Sequence, residues 1–302
     1  MLPTCYNATM KIVVPPGLYV VAVSGGVDSM VLLDLLLTVP ELYLVVAHLD
    51  HGIRKDSRQD RILVETTARM HNLPFEYREA RLSRSVSEAD ARKVRYDFLD
   101  AVRQQYGAQA IITAHHQDDV IETAFLNLLR GTGRKGLSSL RSSDKILRPL
   151  LQASKQDIRE YAKENAIRWR EDSTNQDERY LRNFVRLSLI PQLTPVQRQR
   201  LSERLMSVAI INQELDALLL DNLHAHMALE GLNRQWFIML PYDISAEVIA
   251  SWLRQTGIRD FDRKTIERLV IAAKTALPGK HIDVIAGSKL HIGRQYLAIV
   301  SS

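Results

Sequence analysis

Residues 18–29 read Leu18-Tyr19-Val20-Val21-Ala22-Val23, then Ser24-Gly25-Gly26-Val27-Asp28-Ser29. The first six are apolar without alternation, the pattern of a strand buried on both faces of a parallel sheet. Beyond the small residues that follow, apolar side chains crowd together at helical density through Leu37. A strand, a glycine-bearing loop and a helix in that order bring backbone N–H groups to a helix N-terminus, where an anion is favoured. The two serines are expected to donate further hydrogen bonds, and Asp28 is placed to hold a magnesium ion. The hexapeptide therefore predicts a phosphate loop in which Ser24, Gly25, Gly26, Val27, Asp28 and Ser29 bind the cofactor.

Working outward, nearly continuous apolar runs recur at 42–47 and 108–114, with a more polar run at 74–80. Helical patterns at 29–38, 58–70, 87–105 and 119–130 separate them, and Ser87 with Asp90 and Ser154 with Asp157 read as capping boxes. Strands alternating with helices predict an α/β fold, a doubly wound, mainly parallel sheet whose ligands bind at the carboxyl ends of the strands. After Pro191 the pattern changes. Thr194-Pro195 opens one long or broken helix marked by Leu201, Leu205, Val208, Leu215, Leu219 and Leu223. Helices are expected near 245–255 and 262–275, and 281–300 reads as a hairpin turning at Gly287-Ser288. The expected domains are 1–190, nucleotide-binding and catalytic, and 191–302, smaller and mostly helical with a terminal β-hairpin.

The chain has 302 residues, 46% hydrophobic and 25% charged, which excludes a wholly disordered polymer. No apolar run is long enough to span a bilayer, the N-terminus lacks the pattern of a secretory signal, and Cys5 is the single cysteine. A cytoplasmic location without membrane association is expected. Forty Lys and Arg oppose 35 Asp and Glu, a net charge of +5. The segment 130–148 holds six basic residues and one acid, and 78–95 holds six basic residues and three acids. Such concentrations suit nucleic acid, although a solvated basic face reads the same way.

Two decoys fall away. Gly131-Thr132-Gly133-Arg134-Lys135-Gly136 spells GxGxxG but follows a helical pattern where a dinucleotide fold needs a strand. His48 and His51 have no third ligand at useful spacing, so zinc is not expected.

The phosphate loop resembles that of the N-type ATP pyrophosphatases, or PP-loop proteins. Further segments narrow the resemblance: His48-Leu49-Asp50-His51-Gly52-Ile53-Arg54; Glu88-Ala89, Ala91-Arg92 and Arg95-Tyr96; and Ala114-His115-His116-Gln117-Asp118-Asp119 with Glu122-Thr123. They continue through Gly131-Thr132-Gly133, Arg148-Pro149-Leu150-Leu151, Glu171-Asp172-Ser173-Thr174-Asn175 and 179–186. In order, these resemble the tRNA(Ile)-lysidine synthetase family over about residues 18–191, with 191–302 only loosely similar and the whole like a short form. The resemblance implies the PP-loop ATP pyrophosphatase fold, of the adenine nucleotide alpha hydrolase-like kind. It also implies a ligase that uses ATP and Mg2+ to join free L-lysine to C2 of the wobble cytidine of a CAU-anticodon tRNA(Ile). An adenylylated tRNA intermediate would be formed, and pyrophosphate and AMP released. Decoding would change from AUG to AUA.

Asp119 and Glu122 lie three apart at a helix start, so both carboxylates can recognise the lysine ammonium and one can accept its proton. An acidic helix N-terminus explains the same pair without chemistry. Asp28, Asp119, Glu122 and His115 are the expected catalytic residues, although His115 reads equally as structural and Asp118 is an alternative contact for ATP or magnesium. His51 joins the nucleotide site by resemblance alone, and Arg95 is expected there too. Arg92, Arg134, Lys135, Arg182 and Arg186 are the expected tRNA contacts, with 130–148 mobile until RNA binds. A homodimer stays open. A PP-loop thiolase would need catalytic cysteines that this chain does not offer, and a non-catalytic binding protein would have no use for the carboxylates.

Overall fold

The computed structural model describes residues 10–50, 52, 57–80, 86–171, 181–258, 261–285 and 287–301. Strand β1 (Gly17–Ala22) leads into α1 (Val27–Leu37), β2 (Leu42–Asp50), α2 (Ser57–Met70), β3 (Phe75–Glu79) and α3 (Glu88–Gln105). Then come β4 (Ala110–Ile112), α4 (Gln117–Leu129), the short α5 (Arg134–Leu137), β5 (Ile146–Leu147) and α6 (Lys155–Glu164). The five strands form one sheet in the order β3-β2-β1-β4-β5, and each pairing is parallel.

Alternate residues of the central strands feed two apolar layers, so the strands are apolar without a break. Val21, Val46 and Ile112 join Leu32 and Leu36 of α1 and Ile158 of α6. Val20, Val45 and Ile111 join Phe98, Leu99 and Val102 of α3 on the other face. Helix α1 lies between sheet and α6, which is why Met30, Val31, Leu32, Leu33, Leu35 and Leu36 are all buried. The strand order changes direction between β1 and β4, and the loops that follow these two strands meet at that switch point.

Helix starts follow the expected chemistry. Ser154 accepts the Asp157 N–H while Asp157 accepts the Ser154 N–H, both at 3.1 Å, and Ser87 accepts the Asp90 N–H at 3.1 Å. Helix α7 (Leu181–Phe184) passes into a wide π turn at Val185–Leu189 and a 3-10 turn at Ile190–Gln192. Helix α8 (Pro195–Ala225) follows, with Thr194 and Gln197 capping each other, and it is unbroken over 31 residues.

The chain forms two compact units, Met1–Ala209 and Ile210–Ser302. This division lies inside α8, since Leu201 and Leu205 pack with Ile121, Leu126, Val185 and Ile190. The second unit contains β6 (Met227–Ala228), β7 (Gly231–Asn233), α9 (Arg234–Met239), α10 (Tyr242–Gln255) and α11 (Arg263–Thr275). Strands β8 (Lys280–Ile285), β9 (Ser288–Ile292) and β10 (Tyr296–Ser301) complete it. The expected hairpin is β8–β9, but it belongs to a five-stranded antiparallel sheet in the order β6-β7-β10-β9-β8. Strands of two or three residues are too short to show a period. Arg234, 6% exposed, donates to the carbonyls of Ala273, Ala276 and Gly293 and so fastens the end of α11 to this sheet. Among the described residues, no helix is long and apolar enough to cross a membrane.

Candidate nucleotide and substrate site

The loop after β1 is held in shape by its own serines. Ser29 Oγ donates to Gly26 O at 2.9 Å and accepts from Ser24 N at 3.1 Å. The Ser29 proton being committed, the 3.1 Å contact between the hydroxyls has Ser24 as donor. Both hydroxyls are thus engaged within the loop, where they shape the turn expected to receive an anion. Backbone is offered to an anion as well, since Gly26 caps α1 without a side-chain hydrogen bond. Although Ser29 N–H turns back to Gly26 O at 3.1 Å, the N–H groups of Val27 and Asp28 stand at the helix start, where an anion is favoured. Gly25 has φ +90°, and a Cβ there would sit 3.4 Å from Asp60 Cβ. The neighbouring chain braces this turn, because Arg170 N donates to Gly25 O at 3.0 Å and Arg170 Nε to Asp60 Oδ1 at 2.7 Å.

Asp28 opens toward the start of α4 and the start of α6. Lys155 Nζ donates to both its oxygens, at 2.5 and 2.7 Å. His116, the N-cap of α4, accepts the Asp118 N–H at Nδ1, 3.3 Å away, so its ring proton resides on Nε2. That Nε2–H lies 3.8 Å from Asp28 Oδ2 and 3.6 Å from Asp119 Oδ2, between the two carboxylates. The donor set fits a magnesium ion, which takes one or two carboxylates and completes its shell with phosphate and water. Among the described residues no cluster of three or more His, Cys, Asp or Glu forms a separate metal centre.

The acids of α4 are already engaged. Asp119 Oδ2 accepts the His116 N–H at 2.9 Å and Oδ1 accepts Arg186 Nη2 at 3.4 Å. Burial opposes its charge, but the ring and backbone N–H groups of His116 and the Arg186 guanidinium outweigh burial and hold the carboxyl below its ordinary value. Glu122 is 1% exposed and receives Arg186 Nε at 2.8 Å and Arg182 Nε in a shorter contact. Burial drives its carboxyl up to about 7, with Arg186 pulling the other way and Asp119 adding to the rise. Arg182 and Arg186, expected at RNA, are therefore turned onto the α4 carboxylates from α7 and the π turn. Asp118 faces Arg198 Nη1 at 3.9 Å.

His115 bonds Thr113 Oγ1 through Nδ1 at 2.8 Å. Burial pushes its pKa down to about 3; Asp119 opposes the fall, and Arg148, Arg95 and Arg92 reinforce it. It is uncharged at neutral pH, a hydrogen-bonding partner or proton acceptor and not a standing cation. The standing cations are the arginines. Arg92 and Arg95 lie over the Tyr96 ring, 4.9 and 5.7 Å from its centroid. Burial lowers the Arg95 pKa. Arg148 is 8% exposed, which withdraws it from the solvent-facing basic stretch to which the sequence assigned it.

Part of the stretch 130–148 is hydrogen-bonded to α4. Asn127 Nδ2 donates to Gly136 O at 2.8 Å and to Ser139 Oγ at 2.9 Å, and Ser142 Oγ accepts the Arg148 N–H at 2.9 Å. Arg134 and Lys135 sit on α5 within this tethered stretch. His48 is 3% exposed and bonds Val23 O through Nδ1 at 2.8 Å, joining β2 to the end of β1. His51, Asp172 and Asn175 lie outside the described residues. Lys155, Asp60, Arg170 and Asn127 were missed in the sequence because their partners lie far along the chain or on its backbone.

The parallel sheet and the loop after its first strand lie in residues 7–193, which match the family described as "PP-loop domain" and place the chain in the PP-loop class. The chain is 32% identical over 294 residues to a "tRNA(Ile)-lysidine synthase" of Francisella tularensis subsp. holarctica, a match covering 94% of this chain and 74% of that one. It belongs to the tRNA(Ile)-lysidine synthase family. A protein of the same name from Thermotoga sp. strain RQ2 is 41% identical over 181 residues, 57% of this chain, and the chain spans 44% of that relative's length. Among solved structures, the U34-tRNA thiolase NcsA from Methanococcus maripaludis aligns with a TM-score of 0.47 and 15% identity over 66% of this chain and 71% of that one, too distant to bear on activity.

Proposed function

We propose that the chain ligates lysine to the wobble cytidine of a CAU-anticodon tRNA(Ile) at the expense of ATP. The observation that carries the proposal is the convergence of the phosphate loop, Asp28 and the His115–Asp119–Arg95 group at one switch point in a chain of this family. The cytidine O2 attacks the α-phosphorus as the bond to the β-phosphate oxygen breaks, and pyrophosphate leaves on the loop's N–H groups. The lysine ε-amine then attacks C2, AMP departs with the oxygen, and the amine gives up a proton. Magnesium, when bound at Asp28, neutralises polyphosphate charge.

Arg92 and Arg95 are proposed to face phosphate. Asp119 and Glu122 are proposed to attract the lysine ammonium, and uncharged His115 or Asp119 to accept its proton. For the ammonium to reach Glu122, Arg182 must give way. The test combines purified protein, a CAU isoleucine tRNA transcript, ATP, Mg2+ and radiolabelled lysine. Label in RNA together with released pyrophosphate is expected, and RNA without label refutes the activity.

Arg134 and Lys135 are proposed to meet the tRNA backbone. Replacing both with alanine is expected to flatten the dependence of log binding constant on log salt by roughly 1–2 units, since each phosphate contact contributes about 0.7–0.9. An unchanged slope, measured by filter binding across a salt series, rules them out as phosphate contacts.

A further inference from the structure

We infer that Lys155 is a polyphosphate ligand whose ammonium rests on Asp28 in the free protein and moves to a phosphate oxygen when nucleotide enters. The inference rests on the phosphate-loop reading above and adds a residue that reading does not use. Lys155 lies 127 positions from Asp28 in sequence, yet its Nζ is within hydrogen-bond distance of both carboxylate oxygens. It occupies the first position of α6, where the helix dipole disfavours a cation and acids are the usual choice. Ser154 and Asp157 already satisfy the helix start, so capping does not explain the lysine.

Stability alone explains it poorly. The side chains of Lys155 and Asp28 are 32% and 28% exposed, and a pair so open to water contributes little. The position does suit an ammonium with a second destination. Asp28 stands in the first turn of α1, whose N–H groups form the anion cradle, and the lysine stem carries its charge to that same turn. Once a metal ion competes for Asp28, or polyphosphate for the ammonium, the lysine lies next to phosphate oxygens that need a donor. Lysine suits the exchange better than arginine, being a compact point charge on a flexible stem.

A lysine that merely neutralises Asp28 would also raise ATP affinity, so the test separates contact from neutralisation. Binding of ATP and of adenosine is measured by calorimetry in EDTA for the parent, Lys155→Met, Asp28→Asn and the double variant. Thermal melts and Lys155→Arg serve as folding controls. A contact predicts that Lys155→Met weakens ATP on the order of tenfold even in the Asp28→Asn background, leaves adenosine unchanged, and is partly rescued by arginine. Restoration of ATP affinity in the double variant overturns the inference in favour of neutralisation. Equal losses for ATP and adenosine, or no loss, overturn it as well. If the parent binds no ATP either in EDTA or with Mg2+ restored, the phosphate-loop reading fails and takes this inference with it. A parent that binds ATP alongside unaffected Lys155 variants leaves that reading standing.

Discussion

Asp28→Ala is expected to lower tRNA-dependent pyrophosphate release by about a thousandfold, the scale seen when a charge-organising group is removed from a transition state. Asp28 is where Lys155 and His116 converge, beside the loop that is to receive the leaving group. Its loss removes the only phosphate-loop carboxylate and leaves the Lys155 ammonium to settle on the nucleotide alone. Ground-state ATP binding should fall much less than turnover, because the Lys155 ammonium no longer has to leave a carboxylate to reach the nucleotide, which offsets part of the lost metal affinity. Asp28→Asn keeps the volume and removes the charge, so it should resemble alanine in turnover. Turnover within tenfold of the parent in both variants would remove Asp28 from the chemistry.

Glu122→Ala should produce two separable effects. The first is structural: Arg182 and Arg186 lose their shared carboxylate, and the buried end of α4 loses its tie to α7 and the π turn. Breaking a buried pair costs more than breaking an exposed one, and with both arginines about a third exposed a loss of about 2–3 kcal/mol is expected from chemical denaturation. The second effect is on lysine. Half-saturation should rise at least tenfold, by order of magnitude, while pyrophosphate release in the adenylylation step changes little. Identical lysine dependence in variant and parent would assign Glu122 to architecture alone. The sign of the charge effect is defined. Burial raises the Glu122 carboxyl to about 7 and Arg186 opposes the rise, so Arg186→Gln should raise its titration further and leave it mostly protonated at neutral pH. Lysine use in that variant should recover as pH rises through the new value.

The α/β architecture was legible because its strands are buried on both faces and leave unbroken apolar runs such as Val20-Val21 and Val45-Val46. The loop was legible because its glycines and serines are contiguous. Chemistry that joins distant positions was not. Nothing local announces that Lys155 seeks Asp28, that Arg170 braces Gly25, or that Arg182 and Arg186 belong with Glu122. One faint signal existed for Lys155, a cation at a helix start that already has its acid in Asp157. In the second unit, β6, β7 and α9 were hidden by brevity, whereas α8 was legible from its apolar spacing and from Thr194-Pro195 at its start.

The mutual grip of Ser24 and Ser29 has a kinetic corollary. A receptor already moulded before its guest arrives gains little discrimination from induced fit. It should welcome the freed diphosphate almost as readily as the tail of an incoming nucleotide, so spent product becomes a competitor. An external pyrophosphatase would then speed the second and later turnovers while leaving the first untouched.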